Sequence, residues 1–323
     1  MTHTVAAPHR PPGRVPTGTK ARRRRPSFGP YLLIAPTLVV IAALMFWPIL
    51  QIGTMSVQKI GNRELRGEPA QNVGLDNYRA IAGDELFWTS LKHTMLFVVA
   101  AVTLTVVVGT LIGLLLNSLG KRMSATVSAG VMIAWATPPV TAAIIFTWLF
   151  GTTGGLANWI LEQLPDWLVG GNWTDYNWFG SPLPTYIVLT ICVVWQSFPF
   201  VAVSILAGLR GVPSELYEAA RVDGAGPWRT FWSITFPLLR PIFLVVLVLS
   251  VIWDFKVFTQ LFIMSGLANR DAFNLSMYAY SEAFGSLNPK LGVGSAIATV
   301  LTLILLAVTA VYVRIMVRQG EVA

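Results

Sequence analysis

The chain has 323 residues, 54% of them apolar and only 12% charged, with twelve Trp. Soluble domains carry roughly 25% charged residues, so composition excludes an ordinary soluble domain and points to an integral membrane protein. The formal net charge is +8, but the surplus is concentrated in the first 25 residues and in segments between apolar runs, a distribution that membrane topology explains better than nucleic-acid binding.

The tail, residues 1–29, is rich in Pro, Arg and Thr, has no apolar periodicity and reads as disordered. Arg22, Arg23, Arg24 and Arg25 suit anionic lipid headgroups beside the first apolar run. A cleaved signal peptide competes with this reading. It is disfavoured because the run exceeds the usual 7 to 15 residues and lacks a clear small-residue cleavage site. Apolar runs with few or no charges, each about the 20 residues a span needs, follow at 31–55, 94–116, 128–149, 185–206, 242–264 and 294–315. The expected fold is therefore all-α, a polytopic bundle of six transmembrane helices over residues 30–318, with residues 319–323 as a short C-terminal end. Of the 23 Lys and Arg, 15 lie on one side if both termini are cytoplasmic, seven of them in the tail. The first external loop and its edge oppose that threading with Lys59, Arg63, Arg66, Arg79 and Lys92.

The third loop, residues 151–184, carries Trp159, Trp167, Trp173 and Trp178 with no Lys or Arg. It reads either as a docking surface or sugar-contacting lid, or as an interfacial aromatic belt. Midway along the fourth run lies Trp195-Gln196-Ser197-Phe198-Pro199-Phe200, where Pro199 is expected to free a backbone carbonyl and bend the helix. Between the fourth and fifth runs the polar element 210–241 includes Pro213, Glu218-Ala219-Ala220, Asp223-Gly224-Ala225, Pro227, Phe231, Ile234, Pro237 and Pro241. Pro213 suits a helix start, and Gly224 suits the left-handed residue past a helix end. Pro227 opens a second short helix, with Phe231 and Ile234 on one face and Pro237 ending it; neither piece is long enough to span. The fifth run places Trp253-Asp254-Phe255-Lys256-Val257-Phe258 at its middle, with Asp254 and Phe258 on one face at a spacing of four. Charges there are costly, so Asp254 and Lys256 should both face the interior or a wet cavity. For any of these intramembrane residues, ordinary packing and helix-to-helix polar contact is the competing reading.

Catalytic chemistry is nearly missing from the sequence. His3 and His9 lie in the tail, His93 stands alone, and Cys192, the one cysteine, reads as a packing residue that cannot form an intrachain disulfide. No Gly-x-x-x-x-Gly-Lys-Ser/Thr phosphate loop occurs. No cofactor or metal site is expected, and ATP would be handled by another subunit.

The register of Glu218, Ala219, Ala220, Asp223, Gly224 and Ala225, followed by Phe231, Ile234, Pro237 and Pro241, resembles the coupling loop of bacterial ABC importer permeases. Gly74-Leu75-Asp76-Asn77-Tyr78, Trp148-Leu149-Phe150 and Gly155-Leu156-Ala157-Asn158 extend the resemblance to the sugar-importer branch over residues 30–318. The departure is Ser265-Gly266-Leu267-Ala268-Asn269, where that branch often has Gly-Gly-Gly-Pro. The resemblance implies a type I importer permease in a bacterial plasma membrane. It further implies a second homologous permease, two cytoplasmic ATPase subunits, an extracellular solute-binding protein and surrounding membrane lipids as partners. It puts Glu218 through Ala225 at the ATPase and brings Trp195, Ser197, Phe200, Asp254 and Phe258 near the sugar pathway. A permease for a polyamine or phosphate ester, and a membrane channel or scaffold that uses no ATP, are the alternatives.

Overall fold

The computed structural model describes residues 29–318; the expectations for the basic tail before Gly29, for Arg22 to Arg25 and for the end at 319–323 lie outside the described residues. The chain divides into a unit ending at Ile49 and a unit from Leu50 onward. Among the described residues five helices are long and apolar enough to span, α1 (Leu32–Ser56), α2 (Glu85–Ser118), α5 (Pro182–Arg210), α7 (Pro227–Phe255) and α10 (Leu291–Val317), the last continuing to Arg318. A sixth crossing is available only as a broken pair, α3 (Lys121–Ala136) and α4 (Pro139–Leu149), which meet at 91°. The expected straight span at 128–149 is therefore corrected. Thr137 precedes Pro138-Pro139 and takes an extended conformation, φ −69° and ψ 125°, because the residue before a proline is disfavoured in the helical region.

Pro237 does not end a helix, contrary to expectation. The chain runs from Pro227 through a π turn at Phe231–Thr235 into Phe236–Phe255 without a stop. Proline lacks an N–H and crowds the carbonyl four residues back, here Ser233. That carbonyl belongs to the π turn, whose wider ring accommodates the crowding. The first span repeats the device: its π turn, Ala42–Phe46, stops two residues before Pro48, as Phe231–Thr235 stops two before Pro237. The π turn also upsets the expected Phe231 and Ile234 face, since a spacing of three no longer closes one turn.

Between lipid-facing helices no hydrophobic force exists, so close packing and polar contacts hold them together. Gly109 and Gly113 supply it for α2 against α5: a Cβ at Gly109 would lie 2.6 Å from Val201 Cβ, and one at Gly113 would lie 2.9 Å from the Ala202 carbonyl oxygen. Beyond them Phe97, Ala101, Val188, Leu189 and Cys192 join Phe273, Leu275, Met277 and Ile297 in one buried core. Cys192 is a packing residue, as its place in the sequence suggests.

Outside the spans a two-residue antiparallel ladder, Gln58–Lys59 with Gln71–Asn72, departs slightly from an all-helical chain. Asn77 fixes it by donating to the carbonyls of Ser56 (2.8 Å) and Gln58 (2.9 Å), while the Tyr78 hydroxyl donates to Ser56 Oγ. The third loop divides its tryptophans. Trp178 is buried and donates to Asn158 Oδ1 at 2.6 Å with Trp173 stacked on it, whereas Trp159 and Trp167 are exposed.

Candidate functional site

Two places bring the sequence-predicted residues together. The first is α6 (Ser214–Val222), with Pro213 as the residue before its first turn and Gly224 just past its end at φ +72°. The Gly224 amide donates to the Arg221 carbonyl and the Ala225 amide to the Ala220 carbonyl, the paired bonds of a Schellman turn. Gly224 is the residue type that enters this left-handed conformation without steric cost. Ala220 is buried, and the Tyr217 hydroxyl lies 3.3 Å from Thr235 Oγ1, so this face of α6 rests on the base of α7. Glu218, Ala219, Asp223 and Gly224 are exposed on the other side and Ala225 is half-buried. The element thus presents one carboxylate face outward from a short helix anchored at both ends to the spans.

The second place lies midway along α5. Phe200 meets Trp253 of α7 edge-on, ring centroids 5.3 Å apart, and stacks on Trp135 of α3 at 6.0 Å. Ser197 is half-buried one turn before Phe200. Asp254 is buried, and its Oδ2 has no hydrogen-bond partner among the described residues.

The fifth run does not continue past this point, which corrects the expectation that Asp254 and Lys256 stand at mid-span. The helix ends at Phe255, Lys256 and Val257 close tight turns on the carbonyls of Trp253 and Asp254, and Phe258 leaves the helical region at φ −129°. A short helix, α8 (Thr259–Ser265), resumes beyond. Irregular backbone at membrane depth needs protein partners; Asn274 supplies one, donating Nδ2 to the Val257 carbonyl at 2.6 Å. The break separates Asp254 from Phe258, so they do not share a helical face. Phe258 instead packs on Phe262 and Tyr280, at 5.2 and 5.0 Å. Trp195 also points elsewhere, its ring 5.8 Å from Phe146 in the buried core.

Gln196 and Gln260 escaped the sequence reading as site residues. Gln260 Nε2 donates to Gln196 Oε1 at 3.1 Å, and Gln196 Nε2 donates to the Thr137 carbonyl at 3.0 Å. The amide chain joins α8, α5 and the bend of the broken third span. A glutamine in an apolar run was the available signal, since a buried amide requires partners. Past Gly266, φ +61°, the chain turns through Arg270–Ala272 into α9 (Leu275–Phe284), which fixes the loop whose sequence departs from the sugar-importer pattern. No group of His, Cys, Asp or Glu among the described residues could hold a metal ion.

Comparison with known proteins gives the same picture. The family model described as "Binding-protein-dependent transport system inner membrane component" matches residues 105–319. The diacetylchitobiose uptake system permease protein of Streptomyces coelicolor is 40% identical, covering 94% of this chain and 92% of its own length. The trehalose/maltose transport system permease protein of Thermococcus litoralis is 32% identical over 92% of this chain and 96% of its own. A solved bacterial alginate ABC transporter superposes with a TM-score of 0.71 at 20% identity, over 88% of this chain and 95% of that one. A second, in complex with its alginate pentasaccharide-bound periplasmic protein, gives 0.73 at 17% identity, over 89% and 93%. At these identities the two structures speak for the fold alone, an importer-permease arrangement of helices.

Proposed function

The chain belongs to the family of binding-protein-dependent transport system inner membrane components, and from that premise we propose that it carries a neutral di- or oligosaccharide. It is a multi-pass plasma-membrane permease of an ATP-binding-cassette importer; hydrolysis of ATP belongs to a separate subunit, and a binding protein delivers the solute. The sugar would pass along the Trp135, Phe200 and Trp253 aromatic seam. Ser197 and the Asp254 carboxylate would offer hydrogen bonds to its hydroxyls. The observation that carries this reading is that pairing: aromatic faces suit the apolar faces of pyranose rings, and an unpartnered buried acceptor is costly until something donates to it. The sugars named for the relatives support it.

The same reading seats Glu218 through Ala225 in a cytoplasmic ATPase. A homologous second permease would complete the pathway, two ATPase subunits would complete the motor, and lipid would surround the spans. Both termini would be cytoplasmic. A reporter fused after Arg122 or Arg221 is then cytoplasmic and one within 159–177 extracellular; an external Arg221 fusion would overturn threading and docking together. Substrate is tested by uptake of labelled mono-, di- and oligosaccharides in cells lacking this chain and restored with it. Restoration of one disaccharide or oligosaccharide is expected, and restored uptake of a polyamine or phosphate ester alone would discard the sugar.

A further inference from the structure

The seam between α2 and α5 has two different halves. At Gly109 and Gly113 the helices touch so closely that a Cβ would collide with Val201 or the Ala202 carbonyl. Toward their first turns they enclose an outward-opening groove of ≈ 510 Å³. Its walls are Leu96, Ala100 and Leu104 on α2 and Leu183, Ile187 and Ile191 on α5, and its end carries Lys92, His93 and Tyr186. From Lys92 to Leu104 a helix rises about 18 Å, slightly more than half of the roughly 30 Å hydrocarbon core. The groove is therefore as deep as one leaflet, apolar along its length except for Thr190, and carries Lys92 at one end.

Lys92 is exposed and forms no ion pair among the described residues, unlike Arg270 and Lys290, which both bond Glu282. His93 and Tyr186 are tied down beside it: His93 Nδ1 lies 3.3 Å from the Phe273 carbonyl oxygen, and the Tyr186 hydroxyl donates to the Ala272 carbonyl at 3.2 Å. These bonds hold the groove's polar end rigid and leave the Lys92 ammonium free for an outside partner. Lys92 is also one of the cations that oppose the positive-inside pattern, so topology does not account for it.

We propose that this groove binds one anionic phospholipid, its acyl chain against Leu96, Ala100, Ile187 and Ile191 and its phosphate at Lys92. A long apolar trough rejects a free inorganic anion, and the unpaired ammonium at its mouth favours a lipid of net negative charge, although a zwitterionic phospholipid also offers it a phosphate. The sugar reading is not needed for this site.

The assembled transporter, extracted from native membrane, tests it by native mass spectrometry of retained phospholipid. Two variants are compared with the parent chain: Lys92→Ala, which removes the charge, and Ala100→Trp, which fills the trough. About a fivefold drop in retained anionic lipid is expected for Lys92→Ala, with a smaller drop in zwitterionic lipid, and Ala100→Trp should displace both. Equal retention in all three overturns the site. Loss in Lys92→Ala but not in Ala100→Trp overturns the trough as the acyl seat. A disulfide cross-link from a cysteine placed at 96 or 187 to another subunit in the native complex would show that protein covers the groove, and would overturn it too.

Discussion

The coupling element and the unwound segment around Asp254 are both interruptions of apolar helix, yet they are built by opposite means. At 213–227 each turn is fixed by a residue within it: Pro213 before the first turn, Gly224 at φ +72° after the last, Pro227 opening the next helix. At 253–260 the break is held from outside, by Asn274 on the Val257 carbonyl and by the Gln196 and Gln260 pair. A local design tolerates changes elsewhere and fails at one glycine. A tertiary design fails through residues that lie elsewhere in the sequence.

Substitutions can separate the two. Gly224→Val forces a β-branched residue into the left-handed region, a strain of about 1 to 3 kcal/mol; with Glu218→Lys it should lower uptake at least about tenfold while the protein still reaches the membrane. Vesicle ATPase assays with liganded binding protein check it, and normal coupling would make the element an ordinary loop. Next in size is Gln196→Leu, which orphans the Thr137 carbonyl and the Gln260 amide together. About 1 to 2 kcal/mol of stability should be lost, read as a lower melting temperature in detergent; an unchanged value would show that the amide chain does not hold the break. Asp254→Ala should reduce uptake several-fold while stimulated ATPase largely survives, since the carboxylate is assigned to the solute and not to the motor. Unchanged transport and preference would move the site. The smallest effect is expected for Phe258→Ala, under about twofold in uptake, because its ring packs on Phe262 and Tyr280; equal losses at 254 and 258 would restore the shared face that the break removes.

The contrast also explains what was legible in the sequence. Pro213 and Gly224 act through their own backbone preferences, so the first helix and its end could be read from the chain alone. The breaks had signals but no position: Pro138-Pro139 inside the third run disfavours helix just before it, and Asp254 with Lys256 inside the fifth is costly in hydrocarbon. Where each helix stops depends on which carbonyl finds a donor, and those donors, Gln196 and Asn274, are 59 and 17 residues away. Pro237 misled for the related reason that a proline stops a helix only if the preceding turn cannot widen. Phe200 and Asp254 were placed near the same pathway by resemblance; Trp135, which stacks on Phe200, lies far from both in sequence and carried no such signal.

The π turn at Phe231–Thr235 does more than accommodate Pro237: it sets the angular phase of everything after it. Thr235, Leu239, Val246, Ser250 and Asp254 form a single buried stripe. A π turn fits its surplus residue into about the rotation that one residue fewer takes in an α-helix, so winding Phe231–Thr235 into regular α-helix with all five residues kept would swing that stripe by about 100° toward lipid. Hydropathy would not change, and the segment would still be long and apolar enough to span. The protein would nevertheless point Asp254 at hydrocarbon, so the helix carries, in one surplus residue, the alignment of its base with its pathway end.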